Sequence, residues 1–153
     1  MAIEGEIMKK LLLIVLIASF AFAKIDFATP QPSFEKPRLW LIRVNNSEKK
    51  KVNHILNAVN NVLKGYPEEA LHVEIVFYAN GIRAVRKDYD KNILKRIKSL
   101  MIYDNIRFVV CKNTMDTMGW HKKEFISGVD YVQIGIAEAI EKVASGWIDV
   151  SPY

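Results

Sequence analysis

The sequence predicts a three-layer α/β domain built on a mainly parallel sheet of about five strands. Three observations carry this reading. Short apolar runs of strand length alternate with stretches of helical periodicity. The first of those runs is almost unbroken, as expected of a strand covered on both faces. The helical stretches between runs are long enough for the crossovers that parallel neighbours need.

Taken in order, Leu39, Trp40, Leu41, Ile42, Arg43 and Val44 form a first strand, closed by Asn45, Asn46 and Ser47. Ser47 is a suitable N-cap for the helix on which Val52, Ile55, Leu56, Val59 and Leu63 recur, with Gly65 as its stop and Pro67 beyond. Residues 71–77 read as a second strand and residues 78–81 as the loop at its carboxyl end. Asn80-Gly81 also suits a hairpin, but no alternating strand follows it. A second helix is expected from about Asp90, its apolar stripe made by Ile93, Leu94, Ile97, Leu100 and Met101. Phe108, Val109 and Val110 form a short buried strand that ends at Cys111, where Lys112, Asn113 and Thr114 break the run. Asn113 or Thr114 caps a short helical turn that Gly119 ends. Gly128 bends the chain into a fourth strand over residues 131–134. Gly135 opens a last helix on which Ile136, Ile140, Val143 and Ala144 share a face, Gly146 stops it, and residues 147–150 make a closing strand.

At 153 residues, half apolar and a quarter charged, the chain has the length of one globular domain. Its N-terminus differs from the rest. Lys9 and Lys10 precede an apolar run over residues 11–22 that ends in Ala21-Phe22-Ala23, the order of a secretory signal peptide over residues 1–23 with cleavage between Ala23 and Lys24. The run is shorter than the ~20 residues of a bilayer span, which sets the cleaved signal ahead of a retained anchor. Glu4 and Glu6 fit poorly before a basic region, and Met8 is an alternative start. Residues 24–37, with Pro30, Pro32 and Pro37, have linker chemistry, and the domain spans residues 38–153. The expected location is periplasmic or secreted, with no membrane association once the signal is removed. Cleavage removes two lysines and two glutamates, so the net charge stays at +5. The basic residues are scattered without interleaved aromatics, which argues for solvated helix faces and against a nucleic-acid partner.

Chemistry centres on Cys111, the one cysteine. A thiol at the carboxyl end of a strand and beside a helix N-terminus, with Lys112 adjacent and His121, Lys122 and Lys123 close in sequence, is placed to favour thiolate. The competing reading is a buried structural cysteine. In an oxidising compartment a single cysteine forms no internal disulfide. Ligands of open α/β sheets bind outside the carboxyl ends of the strands. The loops expected there give Cys111 as the reactive residue, with Asn80, Gly81, Lys112, Asn113, Thr114 and Gly135 as candidate binding residues around it. No GxGxxG or GxxxxGK[ST] pattern occurs, no nucleophile elbow is visible, and His54, His72 and His121 lack metal-ligand spacing, so neither cofactor nor metal is expected. Trp40, Trp120 and Trp147 suit core or subunit contacts better than ligand stacking.

Phe108-Val109-Val110-Cys111-Lys112-Asn113-Thr114, the later Gly128-Val129, and Gly135-Ile136-Ala137-Glu138 leading to Gly146-Trp147-Ile148 resemble the DsrE/DsrF-like proteins. Asn60-Asn61-Val62-Leu63 and Asn80-Gly81-Ile82 match as well, so the resemblance covers residues 38–153. It implies a DsrE-like fold of flavodoxin-like topology, symmetric trimers or hexamers, and a cysteine, here Cys111, that holds sulfur as a persulfide. Many relatives have a small residue where this chain has Lys112 and a glutamine where it has Val143. The expected function is therefore an exported sulfur carrier or sulfurtransferase that exchanges sulfane sulfur with donor and acceptor proteins or small sulfur compounds. The alternative is a non-catalytic oligomeric protein that binds a small ligand or serves assembly. Trp120, Phe125, Ile126, Tyr131, Trp147, Ile148 and Tyr153 crowd the last third of the chain, and some of them are expected between subunits.

Overall fold

In the computed structural model, residues 25–153 are described; the apolar N-terminal run and the expected cleavage site after Ala23 lie outside the described residues. The chain runs β1 (Arg38–Val44), α1 (Lys49–Gly65), β2 (Leu71–Phe77), a 3-10 helix (Ala79–Val85), α2 (Lys91–Leu100), β3 (Ile106–Cys111), α3 (Lys112–Met118), a second 3-10 turn (Lys122–Glu124), β4 (Asp130–Val132), α4 (Gly135–Ala144) and β5 (Ile148–Asp149). Among the described residues no helix is long and apolar enough to cross a membrane.

All five strands pair in parallel, in the order β4-β3-β2-β1-β5. This keeps the layers of a doubly wound sheet while departing from flavodoxin's 2-1-3-4-5 order. The order dictates which helix covers which face. The three crossovers from β1 to β4 all step the same way across the sheet, and right-handed connections then put their helices on one side. The return from β4 to β5 steps back across the whole sheet and must pass over the other side. The core divides accordingly. On the first face Ile42, Val44, Val73, Ile75, Phe108 and Val110 pack against Val52, Ile55, Leu56 and Val59 of α1, Ile93 and Ile97 of α2, and Met115 of α3. On the second, Leu41, Val76 and Val109 meet Ala139 of α4, with Val132 and Trp147 at the margin.

The helix caps follow local chemistry. Asp90 caps α2, its carboxylate accepting the N–H groups of Asn92 and Ile93 at 3.0 and 3.1 Å, and Gly119 ends α3 at a left-handed φ of 67°. Ser47 does not cap α1. That helix starts two residues later, Asn46 Oδ1 accepting the Glu48 N–H at 2.7 Å. The segment read as a loop after β2 is a 3-10 helix, and Gly81 explains how it seats. A Cβ there would fall 1.9 Å from the Val44 carbonyl oxygen, so only glycine lets this turn lie against the end of β1.

The largest departure from the sequence pattern is α4. Its apolar stripe does not face the sheet: Ile136, Ile140 and Val143 are 42, 59 and 48 % exposed, while Gly135 and Ala139 point inward. Small residues four apart bring the helix close to the strands, and the large side chains of its other face are left without cover. Of the aromatic-rich last third, Phe125 and Ile126 are core residues, Trp120, Tyr131 and Trp147 are half-buried, and Ile148 and Tyr153 are exposed. Residues 25–37 form no helix or strand, yet they lie on the domain. Ile25 touches Gly65, Phe27 meets Tyr66 edge-on at 4.9 Å, and the Arg38 guanidinium donates to the carbonyls of Ala28 and Pro30.

Candidate functional site

Beneath α4, β2 and β3 carry a charged network that no sequence pattern marks. Glu74 is fully buried, and its Oε2 accepts from Arg107 Nη1 at 3.1 Å and Lys142 Nζ at 2.9 Å. Arg107 also pairs with Asp130 at 2.6 Å, and Glu138 lies within 3.5 Å of Arg107 and 3.7 Å of Lys142. Burial raises the Glu138 pKa, and the neighbouring Glu74 adds to it. The network ties α4 to the middle of the sheet. Its position at Glu74, three residues short of the end of β2, keeps it separate from the carboxyl edge.

At that edge the topology makes one crevice. α3 leaves β3 over the first face and α4 leaves β4 over the second, so the chain diverges between the carboxyl ends of β3 and β4. Ligand sites of doubly wound sheets form at such switch points. Cys111 ends β3 and pairs in register with Val132 of β4, which places its thiol in this crevice. The sulfur points toward the second face, below the start of α4. Gly135 N–H donates to Sγ at 3.2 Å, and the thiol reaches the Gln133 carbonyl at 3.9 Å. A Cβ on Gly135 would stand 3.1 Å from Cys111 Cβ, 3.2 Å from Tyr78 Cβ and 3.3 Å from Val76 Cγ1. Glycine is therefore what allows a backbone donor this close to the sulfur.

Three pieces of chain knit the site together. Asn113 N–H donates to the Gln133 carbonyl at 3.0 Å, and Gln133 Nε2 donates to Asn113 Oδ1 at 2.6 Å, clamping the loop after β3 to the loop after β4. Thr114 Oγ1 accepts the Ala79 N–H at 3.2 Å, which fastens the segment after β2. Ala79 holds a left-handed φ of 47° there, a conformation that costs a non-glycine residue roughly 1–2 kcal/mol.

These contacts set the acidity of the thiol. Burial pushes its pKa up, but the Thr114 side chain and the backbone N–H groups of Gly135, Thr114 and Asn113 outweigh it, and Cys111 ends below the ordinary cysteine value. The sequence reading expected a lowered value from the helix N-terminus together with nearby cations. The causes are backbone N–H groups and a hydroxyl, with no cation among them. His121 sits on the exposed second 3-10 turn, its N–H donating to the Glu124 carboxylate at 2.7 Å.

Of the residues expected around the thiol, the structure brings Asn113, Thr114 and Gly135 to the sulfur. Lys112 adjoins it in sequence, half-buried and without a carboxylate partner among the described residues. Asn80 is exposed on the first 3-10 helix, and Gly81 is buried against β1 as a packing residue. Gln133, in a loop expected at this edge but not among the candidate binding residues, joins the site by facing Asn113 across two strands. Cys111 is 5 % exposed, and it lines none of the surface clefts of about 660, 490 and 610 Å³ found on other parts of the domain. Among those residues, no group of three or more His, Cys, Asp or Glu side chains is arranged to hold a metal ion.

Comparison with known proteins places this geometry. Residues 39–148 match the model of the DsrE/DsrF-like family. Among solved structures the chain is similar to the protein of unknown function MTH1491 from Methanobacterium thermoautotrophicum. The two share 21 % identity at a TM-score of 0.69, over 75 % of this chain and 99 % of the other. The methanogen chain thus consists of this domain and almost nothing more. No curated protein matches.

Proposed function

The chain belongs to the DsrE/DsrF-like family, a family of sulfur-relay type, and from that premise we propose that Cys111 is a carrier of sulfane sulfur in an exported protein. The observation that supports this most is the set of uncharged donors on the sulfur. They favour the anionic form of the sulfur without placing a competing nucleophile beside it.

The transfer balances without an outside oxidant. The Cys111 thiolate attacks the outer sulfur of a donor persulfide, a new S–S bond forms at Cys111, and the donor's own S–S bond breaks. The donor leaves as a thiolate with the electron pair of that bond. An acceptor thiolate then attacks the outer sulfur of the Cys111 persulfide, and Cys111 returns as thiolate. Because Cys111 is 5 % exposed, the segments over it, residues 113–114 and 133–135, part to admit a partner sulfur. Export is supported by the basic and apolar order of residues 9–23. The uncovered α4 stripe of Ile136, Ile140 and Val143 supports a homo-oligomer in which a neighbouring copy borders the Cys111 loops.

The low exposure of the thiol also favours a second reading, a non-catalytic oligomeric protein whose Cys111 is structural. One experiment separates the two. The protein is incubated with polysulfide, or with thiosulfate and a sulfurtransferase, and its intact mass is measured. The carrier gains the mass of sulfur, and Cys111→Ser does not. A wild-type protein that gains none and resists alkylation while folded has a structural cysteine.

A further inference from the structure

We propose that the amino-terminal edge of the sheet, with the outer stripe of α2, is a docking surface for an anionic lipid bilayer. Lys91, Lys95, Lys98 and Ile102 follow one another at spacings of four, three and four, which sets them on one side of α2 and its last turn. The three lysines are exposed, and among the described residues none of them pairs with a carboxylate. With Lys87 they line a shallow cleft of about 610 Å³ that has no acidic residue in its wall and ends at Ile102. The stripe itself is therefore cationic along its length.

Ile102 is 76 % exposed. Tyr103 and Phe34, 50 and 72 % exposed, stand with it around a second cleft of about 660 Å³ at the amino ends of β2 and β3. Glu68, Glu69 and Asp104 line that second cleft and oppose the lysine field locally, so the stripe on α2 sets the orientation.

Lysines beside protruding aliphatic and aromatic side chains are the chemistry of an interfacial contact. The cations meet lipid phosphates, and the apolar tips enter the headgroup layer. Ile102, Phe34 and Tyr103, all protruding, suit the headgroup layer of a bilayer better than the polar surface of an acidic protein. The proposal departs from the sequence-based expectation of no membrane partner after signal removal.

Residues 24–153 provide the test without the apolar run, since a chain of this domain alone is a solved structure. They are sedimented with vesicles of phosphatidylcholine, with and without phosphatidylglycerol. Capture is expected only by the anionic vesicles and is expected to fall as salt rises. Lys91→Gln/Lys95→Gln/Lys98→Gln should weaken it on the order of a hundredfold, and Ile102→Ser/Tyr103→Ser roughly tenfold, each variant keeping the wild-type melting temperature. No capture, equal capture by neutral vesicles, or unchanged binding of either variant overturns the proposal.

Discussion

Gly135→Ala tests whether α4 is clamped on the sulfur. The added methyl would stand 3.1 Å from Cys111 Cβ and 3.2 Å from Tyr78 Cβ, atoms fixed to the backbone at the ends of two strands, and 3.3 Å from the fully buried Val76. The two Cβ atoms cannot rotate away, so the start of α4 must lift by a few tenths of an ångström. Overpacking of this kind costs about 1–3 kcal/mol. Against it stands a gain of about 0.4–1 kcal/mol from restricting the unfolded chain, the helix-propensity benefit being small at a first helical position. The net expectation is a loss of roughly 1–2 kcal/mol, which for a domain of this size lowers the melting temperature by roughly 3–10 °C. The same lift lengthens the 3.2 Å contact between Gly135 N–H and Sγ, removing support from the thiolate and raising the Cys111 pKa. Thermal melting and the pH dependence of iodoacetamide alkylation read the two effects in one preparation. A variant as stable as wild type with an unshifted alkylation profile would refute the reasoning.

Thr114→Val removes the donor that lowers the thiol pKa most, so the alkylation midpoint should move up and the rate at neutral pH fall roughly tenfold, from the worth of a hydrogen bond to a charged group. Glu74→Ala leaves Lys142 and Arg107 facing an emptied buried position; urea denaturation should show a loss of roughly 2–4 kcal/mol, somewhat under the value for a wholly buried pair because Arg107 keeps Asp130. Glu138 has a raised pKa, so its contribution to stability is full below the ordinary glutamate value and is lost as pH rises through its folded pKa. Glu138→Gln should therefore flatten that part of the stability profile in calorimetry across the acid range. Ile140→Lys, on the outward face of α4, should leave the fold within about 0.5 kcal/mol of wild type and reduce the mass found by light scattering after size exclusion; an unchanged mass removes α4 from the oligomer contact.

The strands were legible because burial on both faces leaves nearly continuous apolar runs. β1, β2 and β3 fall where Leu39–Val44, Leu71–Phe77 and Phe108–Cys111 suggest. Helix ends with a specific chemical device, Asp90 before α2 and Gly119 after α3, were legible too. Cys111 was found because a strand end is a position along the chain. The groups around its sulfur were only partly found, because they come together across strands. Asn113 and Thr114 are neighbours of Cys111 in sequence and Gly135 opens the helix expected at the same edge, whereas the part played by Gln133 depends on its facing Asn113 across two strands. The same holds for Glu74 and Lys142, distant in sequence and 2.9 Å apart in space. The lysines close to Cys111 in sequence misled for the same reason: nearness along the chain is not nearness to the sulfur.

The reversal of α4 has a physical logic that joins the site to the outer surface. A helix that carries its large side chains toward a sheet stands off at ordinary packing distance, about 8–10 Å between axes when two helices are the partners. At that separation its first backbone N–H could not reach a thiol on the strand below. Turning Gly135 and Ala139 inward closes the gap and puts the N–H 3.2 Å from the sulfur. The sequence of α4 still contains Ile136, Ile140 and Val143, and the only side left for them is outward. Donation to the thiol and an uncovered apolar stripe are thus two results of one choice of which face packs. A substitution that returned large residues to the inner face would cover the stripe and abandon the sulfur together.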